Sequence, residues 1–200
     1  MTIREFRPGD EAAVYDICLR TGASGEDATH LYSDPELLGH VFAGPYLRLC
    51  PGFASVVEED GEVLGYVLGA PDTRGFEARC EEEWWPPLRE RYPDPVSPKT
   101  PDERRMHTIH HFHPAPDALV EEYPSHLHID LLPRTQGRGY GRRLMDRLRE
   151  QFRRAGSPGL HLGVDPANRR AVGFYEALGL TTVSEDEHVI WMGERLGRTH

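Results

Sequence analysis

The run Leu131-Leu132-Pro133-Arg134-Thr135-Gln136-Gly137-Arg138-Gly139-Tyr140-Gly141-Arg142 carries the clearest chemistry in the chain. An apolar stretch ends at Pro133, three glycines alternate with other residues, and a basic amphipathic stretch follows. Backbone N–H groups in such a turn can converge on an anion, helped by the positive end of the helix that opens there. Glycine tolerates positive φ and lets a phosphate approach the main chain closely. The run is not a Walker loop, which needs Gly-Lys-Ser/Thr, and it lacks the fuller fingerprint of a dinucleotide site. Imidazole is also concentrated: His107, His110, His111, His113, His126 and His128 are six of the eleven histidines. His111-x-His113 and His126-x-His128 offer metal ligands from two strands. No spacing motif fixes that geometry, so no metal is expected, and the histidines are read as lining a cleft that binds polar groups, with several simply exposed.

Charge is uneven along the chain. The net charge of -10 argues against nucleic acid as a partner. Yet eight arginines stand against only Asp146 and Glu150 between residues 134 and 154. That stretch reads either as one dedicated anion site or as a solvated helix face. The 200 residues, 38% hydrophobic and 28% charged, suit a single packed domain. Cys18, Cys50 and Cys80 lie too far apart for a disulfide framework or a zinc ribbon. No apolar run approaches the roughly 18 residues that cross a bilayer. Met1 to Phe6 shows no apolar signal-peptide core. A soluble, cytoplasmic chain with no membrane partner is expected; a homodimer is left open.

The elements that must position these residues follow from hydrophobic spacing. Thr2 to Phe6 alternates as a strand, and Asp10 is placed as the N-cap of a helix carrying Val14, Ile17 and Cys18. Asp34-Pro35 opens a second helix through Leu37, Leu38, Val41 and Phe42. Phe53–Glu59 and Glu62–Gly69 read as a hairpin about Asp60-Gly61. Residues 71–125 are rich in proline and read as an insertion that shapes a site, or else as a plain surface excursion. One helix is expected there from about Arg74 to Trp85 or somewhat beyond, kept from being long by the prolines. His126–Leu132 is a strand, Gly139–Ala155 a helix, Leu160–Val164 a strand and Asn168–Leu178 a helix stopped by Gly179. Thr181–Val183 and His188–Met192 close the chain as strands.

In that context Gln136-Gly137-Arg138-Gly139-Tyr140-Gly141 resembles the Q/R-x-x-G-x-G/A signature of the GNAT acetyltransferase superfamily. Further on, Asn168-Arg169-Arg170-Ala171-Val172-Gly173-Phe174-Tyr175-Glu176-Ala177-Leu178-Gly179-Leu180 is similar to that family's N-x-x-A-x-x-F-Y-x-x-L-G-F motif. The order of strands and helices is similar too, outside 71–125. The resemblance implies an α/β (α+β) fold: a mixed, mostly antiparallel sheet of six to seven strands flanked by helices. It implies acetyl-CoA as cosubstrate. Gln136, Gly137, Arg138, Gly139, Tyr140, Gly141 and Arg142 would hold the pyrophosphate. The main chain of Leu131 and Leu132, together with Asn168, would hold the pantetheine arm. Tyr175 would protonate or stabilise the leaving thiolate; otherwise it is a core aromatic beside Phe174. The segment Tyr123–Asp130 and the insertion also resemble bacterial relatives of the acetyltransferase-like domain of O-GlcNAcase. That branch offers an alternative: a catalytically silent acetyl-CoA-binding module.

Transfer to an amine needs a base. Asp130 is the first candidate, since burial in an otherwise apolar strand end would raise its pKa; otherwise it is a carboxylate satisfying backbone donors. His128 shares its face by strand alternation and is the second candidate. Glu81, Glu82, Glu83, Glu121 and Glu122, expected near the cleft, favour a cationic amine or a lysine side chain as acceptor. The acceptor itself is not legible.

Overall fold

The computed structural model describes residues 1–197. Asp60 and Gly61 take φ of 51° and 85°, which matches the twist of a two-residue hairpin turn between β2 (Ala54–Glu59) and β3 (Glu62–Ala70). With β1 (Thr2–Glu5), β4 (Ser125–Leu131), β5 (Gly159–Val164), β6 (Thr181–Glu185) and β7 (Ile190–Arg195) they form one sheet of order β1-β2-β3-β4-β5-β7-β6. All neighbours are antiparallel except β4 and β5. The last strand starts two residues later than expected and continues to Arg195.

Helices cover both faces. On one side α1 (Glu11–Arg20), α2 (Leu37–Phe42) and α3 (Gly44–Leu49) pack Val14, Ile17, Leu38 and Leu47 against Val56, Leu64, Tyr66 and Leu68. On the other, α8 (Tyr140–Arg154) and α9 (Arg169–Ala177) pack Leu144, Leu148, Phe152 and Tyr175 against Val57, Val67, Leu127 and Leu160. Two expectations need correction. Asp10 stands at the start of α1, but its carboxylate makes no cap; it takes Arg4 in a two-toothed ion pair and the Arg7 N–H. Asp34 and Pro35 precede α2 as a turn, with Asp34 accepting from the Glu36 N–H and the Tyr92 hydroxyl.

The insertion is far more helical than its prolines suggested. Residues 73–91 run as α4 (Thr73–Arg79), a π-helical stretch (Cys80–Trp84) and α5 (Trp85–Arg91). The wider turn lies directly before Pro86 and Pro87, residues that cannot donate the ordinary helical bond. Two further helices follow, α6 (Pro101–His110) and α7 (Asp117–Glu122). Together with Leu37, Leu49 and Ala70, the insertion's Phe76, Trp85, Leu88 and Ile109 make a third core beside the sheet.

Candidate active site

β4 and β5 pair only at Ser125 with Leu160 and His126 with His161; beyond that the parallel strands separate. The gap is the mouth of a cleft of about 1310 Å³. On the β3 side, β4 stays paired from His126 to Leu131, and the Leu132 N–H goes to the Leu64 carbonyl. Main-chain groups alternate direction along a strand, so those of Ile129 and Leu131 point into the gap. The Leu131 carbonyl takes the Gln136 side-chain amide at 2.7 Å. The expectation for Leu132 is thereby corrected: its N–H is spent on β3 and its carbonyl on the Thr135 N–H and hydroxyl. Ile129, which sequence reasoning missed, has main-chain groups facing the gap; the alternation rule counted back from Leu131 would have found it.

At the far end of β4 the glycine turn opens α8. Gly137 and Gly139 have φ of 72° and 79°. Among the described residues, the N–H groups of Gly137 to Arg142 have no backbone acceptor. Gly141 has another reason to lack a side chain, because a Cβ there would lie 2.8 Å from the Phe174 ring of α9. The turn is therefore a ring of free amides at a helix's positive end. It does not depend on the arginines. Arg134 pairs with Glu59 and Glu62, Arg147 with Glu5, Arg149 with Asp146 and Glu194, and Arg153 and Arg154 with Glu150. Arg142 caps the Ala177 carbonyl, while Arg143 lies over the Tyr140 ring. Arg138 reaches Met1 Sδ, and the Tyr140 hydroxyl donates to the Met1 carbonyl. The basic face is chiefly structural. Asn168 caps α9 through Oδ1 to the Ala171 N–H and lines the cleft.

Asp130 and His128 do share a face of β4. The carboxylate does not stand alone in an apolar strand end, as expected, but belongs to a network. Its Oδ2 accepts from the Tyr66 hydroxyl at 2.5 Å and meets His128 Nε2 at 3.0 Å. No partner takes Oδ1 among the described residues. Cys18 completes the group: its sulfur and ligand atoms of His128 and Asp130 lie within 4.8 Å of one another. Burial alone disfavours the His128 imidazolium, but the charge and hydrogen bond of Asp130 overcome this and raise its pKa to about 10. His128 is thus charged at neutral pH. Burial, followed by the Asp130 charge, pushes Tyr66 well above an ordinary phenol, so it remains a donor. Tyr175 projects from α9 into the same cleft, 8% exposed, its hydroxyl without a partner among the described residues. Burial raises its pKa, and the Asp130 charge adds to that.

The histidines divide. His113, His126 and His128 line the cleft, joined by His161 and His188, whereas His107 and His111 hold Asp94 at the surface and His110 meets the Tyr92 carbonyl. The four proposed as a ligand set, His111, His113, His126 and His128, do not form a metal-sized cluster among the described residues. Nor do the acidic residues flank the cleft. Glu81 pairs with Arg89, Glu83 with Arg79 and Glu122 with Arg195, and none of the five lines it. The insertion instead contributes Phe76, Trp85, Arg105, Thr108 and Phe112.

The site is thus a mixed sheet opened between two parallel strands, with a helix N-terminus at the opening. The sequence model of the Acetyltransferase (GNAT) family matches residues 25–180. The chain belongs to that family. It is 38% identical to the solved protein SsHAT, with a TM-score of 0.90 and 98% of each chain covered. Against protein O-GlcNAcase of Rattus norvegicus it is 29% identical over 189 residues, covering 93% of this chain and 20% of that one. The chain therefore spans about one fifth of that curated relative. A more distant fold neighbour is yncA of Salmonella typhimurium, solved with its cofactor acetyl-CoA: 18% identity, TM-score 0.57, with 100% of this chain and 96% of that one covered.

Proposed function

We propose that this chain is an acetyl-CoA-dependent N-acetyltransferase that moves an acetyl group directly to a primary amine. One observation carries the reading: the β4–β5 gap joins helix-end amides, a tyrosine hydroxyl and a carboxylate oxygen, all without partners among the described residues, in a single cleft. Acetyl-CoA supplies a thioester carbonyl activated for attack. The amides from Gly137 to Arg142 suit its pyrophosphate, and the Ile129 and Leu131 main chain suits the amides of its pantetheine arm. Neither needs a metal. The Salmonella neighbour, solved with its cofactor acetyl-CoA, supports acetyl-CoA as the cosubstrate.

Asp130 acts as base through Oδ1, taking a proton from the attacking amine, while Tyr66 and the His128 imidazolium hold Oδ2. His128, being charged, is the positioning partner and not the proton acceptor. Tyr175 gives its proton to the departing sulfur. A panel of primary amines read by thiol release tests this. Turnover should exceed the hydrolysis background, and Tyr175→Phe should lower kcat roughly 10²- to 10⁴-fold with cosubstrate affinity nearly unchanged. Equal rates in both proteins would remove Tyr175 from the chemistry. Binding without turnover on any amine would favour the silent-module reading.

A further inference from the structure

We propose that the acceptor amine carries an oxyanion, a carboxylate or a phosphate, and that Arg105 binds it. This deepens the transferase reading and rests on it. Arg105 comes from α6 in the insertion and lines the cleft. Among the described residues it has no ion-pair or hydrogen-bond partner, and its Nε is buried without an acceptor. The guanidinium sits instead over the Phe42 ring, 5.3 Å from carbon to centroid. Phe42 in turn stacks on His128 at 6.0 Å. An unmatched positive charge thus lies one aromatic ring from the Asp130–His128 pair.

Comparable arginines in this chain are matched. Arg4 is held by Asp10 and Glu58, Arg89 by Glu81, and Arg149 by Asp146 and Glu194. A partly desolvated guanidinium without a counter-charge is costly, which calls for a partner the fold itself does not supply. Neither nearby acid pairs with Arg105 among the described residues. Asp130 serves His128 and Tyr66, and Glu77 is taken by Arg74 and the Ala115 N–H. Phe42, Phe76, Trp85 and Phe112 stand in the same wall, so one added charge pair would be less screened there than in water. Guanidinium offers the two-toothed geometry that carboxylate and phosphate share. A short acceptor can therefore place its amine at Asp130 and its oxyanion at Arg105. The sign is opposite to that expected from the acidic runs, which lie outside the cleft.

The test uses matched amines: amino acids against their carboxamides, and aminoalkyl phosphates against the amino alcohols. Each is assayed with acetyl-CoA on the wild type, Arg105→Ala and Arg105→Lys. The wild type should favour the anionic member of at least one pair by roughly tenfold or more in kcat/KM, equivalent to one good charge pair. Arg105→Ala should abolish that preference mainly through KM, and Arg105→Lys should restore part of it. Which pair responds separates carboxylate from phosphate. No preference in the wild type, or a preference that survives Arg105→Ala, overturns the proposal. If no amine is turned over, the transferase reading fails separately, and calorimetric titration of the same amines into CoA-treated protein still decides about Arg105. Anion-dependent binding lost in Arg105→Ala supports it; binding indifferent to the anion or to the substitution overturns it.

Discussion

At the residue scale, the cleft separates two histidines on one strand by what faces them. His128 meets Asp130, which favours its charged form, whereas His126 is half-buried beside His161, with Thr73 Oγ1 at 2.8 Å and the Tyr46 and Phe76 rings at its edge. Burial, with His161 adding, lowers the His126 pKa from 6.5 to about 3. The native imidazole then stays neutral where an unfolded one protonates. Its contribution is fully present above 6.5 and is lost as pH falls toward 3, at up to about 1.4 kcal/mol per pH unit. His126→Gln should make stability less steep in pH over that window, measured by urea denaturation against the wild type. Parallel pH profiles would show that His126 does not titrate this way. The pairing of Asp130 with His128 was legible from alternation within β4. Tyr66 and Cys18 were not, because they arrive from β3 and α1 by register and packing that no local pattern encodes.

At the element scale, the glycine turn, the hairpin and the amphipathic helices were legible because each has a local physical signature. In 71–125 the helix starting near Arg74 was legible, but α6 and α7 were missed because proline was taken as a breaker throughout. Pro86 and Pro87 enter α5 at its first turn, where a missing N–H costs little. Thr100-Pro101-Asp102-Glu103 is a capping box with proline just inside the helix, a readable signal for α6. The arginines of α8 were legible as a basic face, but their carboxylate partners come from β1 and β7 as well as from α8 itself. The insertion has its own core about Trp85 and Ile109, 1% and 0% exposed. Ile109→Ala should therefore destabilise the protein by about 2–4 kcal/mol in chemical denaturation. A loss within the roughly 0.5 kcal/mol typical of surface substitutions would contradict this packing.

At the scale of the whole molecule, the sheet divides the labour of the cleft. The β4–β5 gap and α8 face one part, the insertion and α2 the other, and the Asp130 network stands between them. No helix among the described residues is long and apolar enough to cross a membrane. The proposed chemistry uses only protein groups, so turnover should survive exhaustive EDTA treatment, with far less than one zinc per chain by elemental analysis. Stoichiometric zinc lost together with activity would instead make Cys18, His128 and Asp130 ligands. All of this depends on the β4–β5 gap being the seat of acetyl-CoA, and calorimetric titration of acetyl-CoA into the purified protein tests that claim most directly. Saturable binding at one site per chain with micromolar affinity is the predicted result; no heat, together with no thermal shift at millimolar acetyl-CoA, would contradict it.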